Sequence, residues 1–173
     1  MSDGMIKSIK TDAEVEGMGY VLYKSWHETY TGLIDPSYLA GITLERGVKI
    51  AHTQKEKALI AAEKNRVIGF VGFGPYRDQK NLNMGEVYAI YVLKEYHNKK
   101  VGYHLMNAAL EKLRHDHKIA LWVLKDHQKA IHFYEKYGFR FDGTEKKVML
   151  GTENTELPMF MKRDNVFYQQ NHK

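Results

Sequence analysis

A short basic turn between an apolar segment and an amphipathic one has the residue types and spacing of an anion-binding site. The turn reads HNKKVG over residues 97–102, and Lys99 and Lys100 stand directly before the amphipathic segment. The first N–H groups of a helix have no acceptor within it, and they lie at the positive end of the helix dipole. Because such N–H groups hold phosphate, we expect this turn to bind a phosphate-bearing ligand.

Two elements must position this turn. Residues 86–93 combine apolar, β-branched and aromatic side chains, which is typical of a buried strand. From Val101 onward apolar residues such as Leu105 and Met106 recur every three or four positions, which predicts a helix over about 100–116. The sequence therefore predicts a strand, a phosphate-binding turn and a helix in direct succession.

A second segment carries a more specific motif. Residues 130–139 read AIHFYEKYGF, in which Gly138 stands where a helix would end in a left-handed residue and Phe139 opens the next strand. The segment resembles the A-x-x-F-Y-E-K-x-G-F signature of small bacterial-type members of the GNAT superfamily of N-acetyltransferases. The basic turn resembles the family's Gln/Arg-x-x-Gly-x-Gly/Ala loop, whose amides hold the pyrophosphate of acetyl-CoA. The resemblance covers residues 57–163 well and the N-terminal third more loosely.

The chain departs from the family pattern at three positions. His97 stands at the Gln/Arg position of the loop and Lys100 at its first glycine, whereas Gly102 keeps the second. His127 stands where the family often has an Asn that contacts pantetheine. We expect these departures to weaken acetyl-CoA binding without abolishing it.

The resemblance implies an α/β fold of the GNAT type, with a mixed, mostly antiparallel central sheet of about six to seven strands flanked by helices on both faces, as a single domain over residues 1–173. Local patterns agree with this fold. They predict strands at 5–10, 57–62, 67–73, 86–93, 119–124, 139–149 and 155–163. They predict helices from 11 or 12 to 29, from Asp35-Pro36, over 100–116 and over 127–137.

Composition excludes several classes of protein. The chain of 173 residues contains no cysteine, which excludes disulfides, thiolate metal sites and a cysteine nucleophile. No apolar run approaches the roughly 20 residues of a membrane-spanning helix, and the N-terminus lacks a signal-peptide pattern, so we expect a cytoplasmic protein without a membrane partner. The net charge is +5, but the lysines are scattered, so no nucleic-acid partner is expected. The histidines show no metal-binding spacing, so no metal is expected.

The resemblance implies catalytic roles for two side chains. Tyr134 matches the family tyrosine that protonates the CoA thiolate, and Glu86 matches the glutamate that deprotonates the amine, usually through water. Direct transfer needs no covalent nucleophile, which agrees with the absence of cysteine. The alternatives are a Tyr134 that packs on its helix and hydrogen-bonds the cofactor sulfur, and a Glu86 that is solvated or paired with a lysine.

The resemblance also implies a set of cofactor contacts. Tyr91 and Val92 occupy the place in the central strand whose main chain meets the thioester and pantetheine. The expected cofactor-binding residues are Tyr91, Val92, His97, Asn98, Lys99, Lys100, Val101, Gly102, Tyr103 and His127.

The acceptor is expected against the segment KSWHETYTGLIDPSYL, residues 24–39. Aromatic rings beside a carboxylate suit a cationic amine. The candidate acceptor contacts are Trp26, Glu28, Tyr30 and Tyr38 in this segment, and Tyr88 on the central strand. Trp26 and Tyr30 are four residues apart, so the core face of a helix is the alternative for this pair.

These features predict an acetyl-CoA-dependent N-acetyltransferase that moves an acetyl group directly to a primary amine of a small, polyamine-like molecule or of a peptide. Convergence of Glu28, Asp35 and Glu86 on one cleft would favour a polyamine. The alternative is a catalytically impaired GNAT-fold module that binds acetyl-CoA without turnover. Because dimers are frequent in the family, a homodimer is also expected.

Overall fold

The computed structural model describes residues 6–78 and 83–163. Residue 5 of the first predicted strand lies outside these ranges. The helices are α1 (Asp12–Tyr30), α2 (Pro36–Ala40), α3 (Leu44–Gln54), α4 (Val101–Lys112) and α5 (Gln128–Glu135). The strands are β1 (Ile6–Ser8), β2 (Ala58–Glu63), β3 (Arg66–Pro75), β4 (Met84–Val92), β5 (Lys118–Leu124), β6 (Arg140–Phe141), β7 (Lys146–Leu150) and β8 (Thr152–Lys162).

The strands form one mixed sheet in the order β1-β2-β3-β4-β5-β8-β6, with β7 also paired to β8. Only the β4–β5 pairing is parallel among these strands, so the predicted mixed, mostly antiparallel sheet is confirmed. Within residues 6–78 and 83–163 the sheet has eight strands rather than six to seven. The reason is that the predicted strand 139–149 is divided at a turn in which Gly143 has a φ of 92°. Its two parts, β6 and β7, pair separately with β8.

Strands β4 and β5 separate soon after they pair. Their pairing is limited to Met84–Glu86 against residues 118–120, although β4 continues to Val92 and β5 to Leu124. A bulge at Tyr88 in β4 shifts the register against β3 at the same level. The sheet therefore has a wedge-shaped gap between two adjacent strands, and the edge of β4 that faces this gap has no strand partner there.

Helices cover both faces of the sheet, as predicted. On one face α4 packs against the strands through buried residues such as Leu105 and Met106, and α5 lies beside it. On the other face α1 packs through Val15 and Met18, together with Phe70 of β3. The gap between β4 and β5 therefore opens between two different sets of helices.

Helices α1 and α2 both begin where their capping residues predict. The Thr11 side chain accepts a hydrogen bond from the Glu14 N–H, and the Glu14 carboxylate accepts one from the Thr11 N–H, which forms a capping box. Asp35 accepts a hydrogen bond from the Tyr38 N–H, with Pro36 in the first turn of α2. Both helix starts therefore follow from short local patterns in the sequence.

Helix α3 was not predicted from the sequence. It contacts α1 where two glycines meet, because a Cβ on Gly47 would collide with the Gly19 carbonyl, and a Cβ on Gly19 would lie 2.5 Å from the Cα of Val48. Glycine inside a helix ordinarily lowers its stability. Here the missing side chain permits two backbones to approach closely, and this tertiary contact offsets the low helix propensity.

Candidate active site

A cleft of about 1060 Å³ opens at the gap between β4 and β5. Most of the residues predicted for the site line it. They are Trp26, Tyr30, Glu86, Tyr88, Tyr91, Val92, His97, Asn98, Lys100, Val101, Gly102, Tyr103, His127 and Tyr134. Glu28, Tyr38 and Lys99 are not among its lining residues.

The basic turn presents unbonded N–H groups to this cleft. Asn98 and Lys100 have φ angles of 61° and 62°, which is the left-handed region that favours glycine. Lys100 is the N-cap of α4, and its side chain makes no capping hydrogen bond. Within the described chain, the N–H groups of residues 98–103 make no hydrogen bond. The turn therefore keeps the left-handed conformation of a glycine loop and a helix N-terminus that is open to a ligand.

Gly102 lies at the first turn of α4. A Cβ at this position would meet the ring of Phe133 at 3.6 Å and Val92 at 3.9 Å, which are ordinary contacts. The protein itself therefore has room for a methyl group here. The glycine leaves the cleft side of the turn open to a ligand.

His97 and Lys99 are both committed to protein contacts. The His97 ring donates a hydrogen bond from Nε2 to the carbonyl oxygen of Val92, at 2.8 Å. The Lys99 ammonium lies 5.0 Å from the centre of the Tyr96 ring. His97 therefore joins the turn to the end of β4, and its hydrogen bond uses the main-chain carbonyl of Val92, a residue predicted to contact the cofactor through its main chain.

Tyr134 enters the cleft from α5. The helix ends as predicted, since Gly138 has a φ of 93° and the Phe139 N–H donates to the Tyr134 carbonyl. Burial, with a smaller effect of the Tyr30 phenol, raises the pKa of Tyr134 well above its ordinary value of 10. The Tyr134 hydroxyl therefore stays protonated at physiological pH, as a proton donor requires.

A pair of hydrogen-bonded phenols also lines the cleft. The hydroxyls of Tyr30 and Tyr91 are 3.0 Å apart, and burial raises the pKa of both. The Trp26 ring packs edge-on against Tyr30 with their centres 4.9 Å apart. Trp26 and Tyr30 lie against the core and line the cleft as well, so the core-face alternative applies and their contact with the acceptor stays a prediction.

The predicted base, Glu86, is buried in an ion pair. Its side chain is 1% exposed. Arg77 donates to it three times: from Nη2 to Oε1 at 2.6 Å, from Nε to Oε1 at 3.1 Å, and from the backbone N–H to Oε2 at 3.1 Å. The Arg77 guanidinium also lies 4.6 Å from the centre of the Tyr88 ring. Glu86 is therefore paired with a basic residue, as the alternative to a base role stated, and the partner is an arginine and not a lysine.

The structure adds cleft residues that the sequence did not single out, namely Arg77, Trp122, Lys146 and Glu156. They come from four segments, namely the connection after β3 and the strands β5, β7 and β8, and strand pairing brings them together. One signal was available for Glu156, because a carboxylate directly before the apolar run LPMFM in a strand is unusual.

The three acids that would mark a polyamine site do not converge. The Glu28 carboxylate accepts a hydrogen bond from the Lys94 N–H and lies outside the cleft lining. Asp35 caps α2. Of the three only Glu86 lines the cleft, so Glu28 has a structural contact in place of the expected acceptor contact.

His127 lies at the N-cap of α5 and lines the cleft next to Tyr30, with their ring centres 5.9 Å apart. Burial, and to a lesser degree the charge of Lys129, lower the pKa of His127. Its imidazole is therefore neutral near pH 7 and offers one donor and one acceptor nitrogen.

The described residues include neither a cluster suited to a metal ion nor a helix suited to a membrane. None of their His, Asp and Glu side chains gather in threes with the geometry of a metal site. No helix among residues 6–78 and 83–163 is both long and apolar enough to cross a membrane.

A model of the Acetyltransferase (GNAT) family matches residues 19–139 of the chain. The chain belongs to the GNAT family of acetyltransferases. It is 30% identical over 128 residues to the uncharacterized N-acetyltransferase YuaI of Bacillus subtilis (strain 168), a match that covers 72% of this chain and 73% of that protein. The predicted family and enzyme class are thereby confirmed.

Solved structures confirm the GNAT fold. The PaiA N-acetyltransferase of Thermoplasma acidophilum in complex with coenzyme A has a TM-score of 0.70 at 21% identity, covering 91% of this chain and 98% of that one. The YncA acetyltransferase of Salmonella typhimurium with its cofactor acetyl-CoA has a TM-score of 0.71 at 15% identity, covering 94% and 95%. At these identities the likeness concerns the fold alone.

Proposed function

We propose that this GNAT protein transfers an acetyl group from acetyl-CoA directly to the primary amine of an acceptor. One observation carries the proposal: the open amides of the basic turn and the protonated phenol of Tyr134 border a single cleft at the gap between β4 and β5. An anion site, a proton donor and an unpaired strand edge are the parts that this reaction needs.

The residues present fit acetyl-CoA. The N–H groups of residues 98–103 are unbonded and point from a helix N-terminus, which suits a pyrophosphate, and Lys100 adds a positive charge beside them. The unpaired edge of β4 near Tyr91 suits the amides of pantetheine, with the neutral His127 on the other side of the cleft. The relatives of the same fold that hold coenzyme A and acetyl-CoA support this choice of ligand.

In the proposed reaction acetyl-CoA supplies an activated thioester carbonyl. The acceptor amine loses a proton to a carboxylate of the cleft, for which Glu86 was the sequence-based candidate. Its lone pair attacks the carbonyl carbon, backbone N–H groups of β4 stabilise the oxygen, and the carbon–sulfur bond breaks. Tyr134 donates its proton to the departing sulfur. No covalent enzyme intermediate is required.

The acceptor is proposed to be a small-molecule amine or a peptide amine with one cationic centre. The aromatic side chain of Trp26 borders the cleft and suits a cation. The rings of Tyr88 and Trp122 also border it, and they already lie against Arg77 and Lys146 at 4.6 Å and 5.2 Å. A polyamine is less favoured, because Glu28 and Asp35 are not among the residues that line the cleft. The homodimer stays a prediction.

The function is tested by incubating the purified protein with acetyl-CoA and single amines: a polyamine, a free amino acid, a peptide with a free N-terminus and a peptide with an internal lysine. Release of the CoA thiol is followed with time, and the acetylated product is identified by mass spectrometry. We expect amine-dependent thiol release with at least one monoamine or peptide. Acetyl-CoA binding without acetylation of any amine would favour the alternative of an impaired binding module.

A further inference from the structure

Two carboxylates enter the cleft from different strands. Glu86 belongs to β4, whereas Glu156 lies in β8, opposite Leu124 of β5 on one side and Lys146 of β7 on the other. The next residue, Leu157, packs into the core under α4. Because side chains alternate along a strand, Glu156 projects from the opposite face, on which α1 packs.

Glu86 is poorly placed to accept a proton. Both of its oxygens already accept hydrogen bonds from Arg77, and its side chain is almost fully buried. A guanidinium stays protonated at any physiological pH. The three hydrogen bonds therefore hold Glu86 as one half of a buried ion pair, and an acceptor amine would have to compete with Arg77 for its oxygens.

Glu156 differs in each of these respects. It lines the cleft and is half-buried, and among the described residues none donates a hydrogen bond to its carboxylate or forms an ion pair with it. Burial raises its pKa, the charges of Lys146 and Arg77 lower it, and Glu86 raises it. Tyr30 of α1 is the other titratable group that senses its charge. Its oxygens are thus available to a ligand of the cleft.

A cation already occupies the neighbouring aromatic face. The ammonium of Lys146, cross-strand from Glu156, lies 5.2 Å from the centre of the Trp122 ring. Trp122 precedes Leu124 by two residues in β5 and therefore shares the face of the sheet on which Glu156 lies. This corner of the cleft therefore has the surroundings that an ammonium group prefers.

On the basis of the proposed acetyl transfer, we infer that Glu156 is the base that takes the proton of the acceptor ammonium, and that Glu86 is a positioning residue held by Arg77. The ammonium gives one proton to Glu156, and the nitrogen lone pair forms the bond to the acetyl carbon as the carbon–sulfur bond breaks. The sulfur takes the proton of Tyr134, and the second proton lost by the nitrogen restores that phenol. Glu156 then releases its proton to water.

The test compares Glu156→Gln with the matched variant Glu86→Gln, in kcat/KM at saturating acetyl-CoA from about pH 6 to about pH 10. We expect Glu156→Gln to lower kcat/KM roughly 10²- to 10³-fold near pH 7. The loss should shrink as the pH approaches the pKa of the amine itself, about 10 for a lysine-like amine, because the solvent then deprotonates it. Glu86→Gln should keep the wild-type pH profile while its thermal unfolding shifts.

A Glu156→Gln variant with the wild-type rate and profile would overturn the inference, as would a shifted limb in Glu86→Gln alone. Glu156→Asp keeps a carboxylate one methylene further back, so its kcat/KM should be lower while the acidic limb of the pH profile is retained. This variant decides the question if Glu156→Gln does not fold. A wild-type protein that acetylates no amine would overturn the proposed function itself. An active wild type with an equally active Glu156→Gln variant would overturn only the role of Glu156, so the two failures are distinguishable.

Discussion

The imidazole Nε2 of His97 lies 2.8 Å from the carbonyl oxygen of Val92, so the residue that replaces the family's Gln/Arg ties the basic turn to the end of β4. The ring must carry its proton on Nε2, because a carbonyl oxygen only accepts. This bond joins the two elements that are proposed to hold the pyrophosphate and the pantetheine, so the geometry of the cofactor site depends on it.

Replacing His97 by Ala should lower the free energy of unfolding by about 1 kcal/mol, the usual net value of one hydrogen bond. It should also weaken acetyl-CoA binding several-fold, because the turn loses its tie to β4. Chemical denaturation and calorimetric titration measure the two effects. His52→Ala, at an exposed position of α3, is the control. Wild-type affinity in His97→Ala would show that the turn holds its shape without this bond.

Lys100 adopts a φ of 62° at a position where the family has glycine. A non-glycine residue in the left-handed region costs roughly 1 kcal/mol or more, and replacing it by glycine removes this cost. The extra freedom of glycine in the unfolded chain offsets part of the stabilisation. Lys100→Gly should therefore unfold at the same temperature as the wild type or slightly above it. The matched control Lys99→Gly, where φ is not positive, should be destabilised by about 0.5–1 kcal/mol. A Lys100→Gly variant that is less stable than Lys99→Gly would contradict the left-handed conformation of Lys100.

The charge of Lys100 is a separate question from its backbone. Lys100→Gln keeps a long side chain but removes the ammonium from the helix N-terminus, so acetyl-CoA affinity should fall several-fold, and less at high salt, where the charge is screened. Calorimetric titrations at two salt concentrations measure this. Tighter binding by both Lys100 variants would show instead that the side chain crowds the pyrophosphate.

Tyr134→Phe should lower kcat about 10²-fold or more, while acetyl-CoA affinity stays close to the wild-type value. The reason is that the hydroxyl is proposed to act when the sulfur departs, and among the described residues it has no hydrogen-bond partner whose loss would disturb the fold. Because the pKa of Tyr134 is raised above 10, its ionisation should produce no fall in rate up to about pH 10. Equal turnover by Tyr134→Phe and by the distant control Tyr23→Phe would remove Tyr134 as the acid.

His127 should make the protein less stable in mild acid. Burial lowers the pKa of His127 in the folded state below its ordinary value of 6.5, so the unfolded chain binds the proton more tightly. Stability is then complete above about pH 6.5 and is progressively lost as the pH falls toward the folded-state pKa. His127→Asn, which restores the residue common in the family, should reduce the difference in unfolding free energy between pH 7.5 and pH 5.5. Parallel urea denaturation curves at the two pH values measure it, and an unchanged difference would contradict the assignment.

Sequence reasoning located the parts of the site that depend on local patterns. The turn at 97–102, Tyr134 and the left-handed Gly138 are set by contiguous residues, and the structure places them as their motifs predict. The partners of these residues were not predictable in the same way. The Val92 carbonyl that receives the His97 hydrogen bond is fixed by how the turn folds back on the strand, which no spacing in the sequence encodes.

The remaining features depend on contacts between residues that are distant in sequence, so local patterns did not predict them. Glu156 reaches the cleft because β8 pairs with both β5 and β7 at this position. Arg77 follows β3 in the chain and reaches Glu86 on the adjacent strand β4. Helix α3 depends on the close contact of Gly19 with Gly47, and a glycine inside a segment reads locally as evidence against a helix. In each case a tertiary contact outweighs the local signal.

Calorimetric titration of the purified protein with acetyl-CoA, repeated with dephospho-CoA as a control, tests the central claim most directly, because every proposed role requires this ligand in the cleft between β4 and β5. The account predicts one site per chain with an affinity in the micromolar range, weakened in Lys100→Gln. No detectable binding at millimolar acetyl-CoA would contradict it, since the open turn would then not hold the pyrophosphate and the roles of Tyr134 and Glu156 would fall with it.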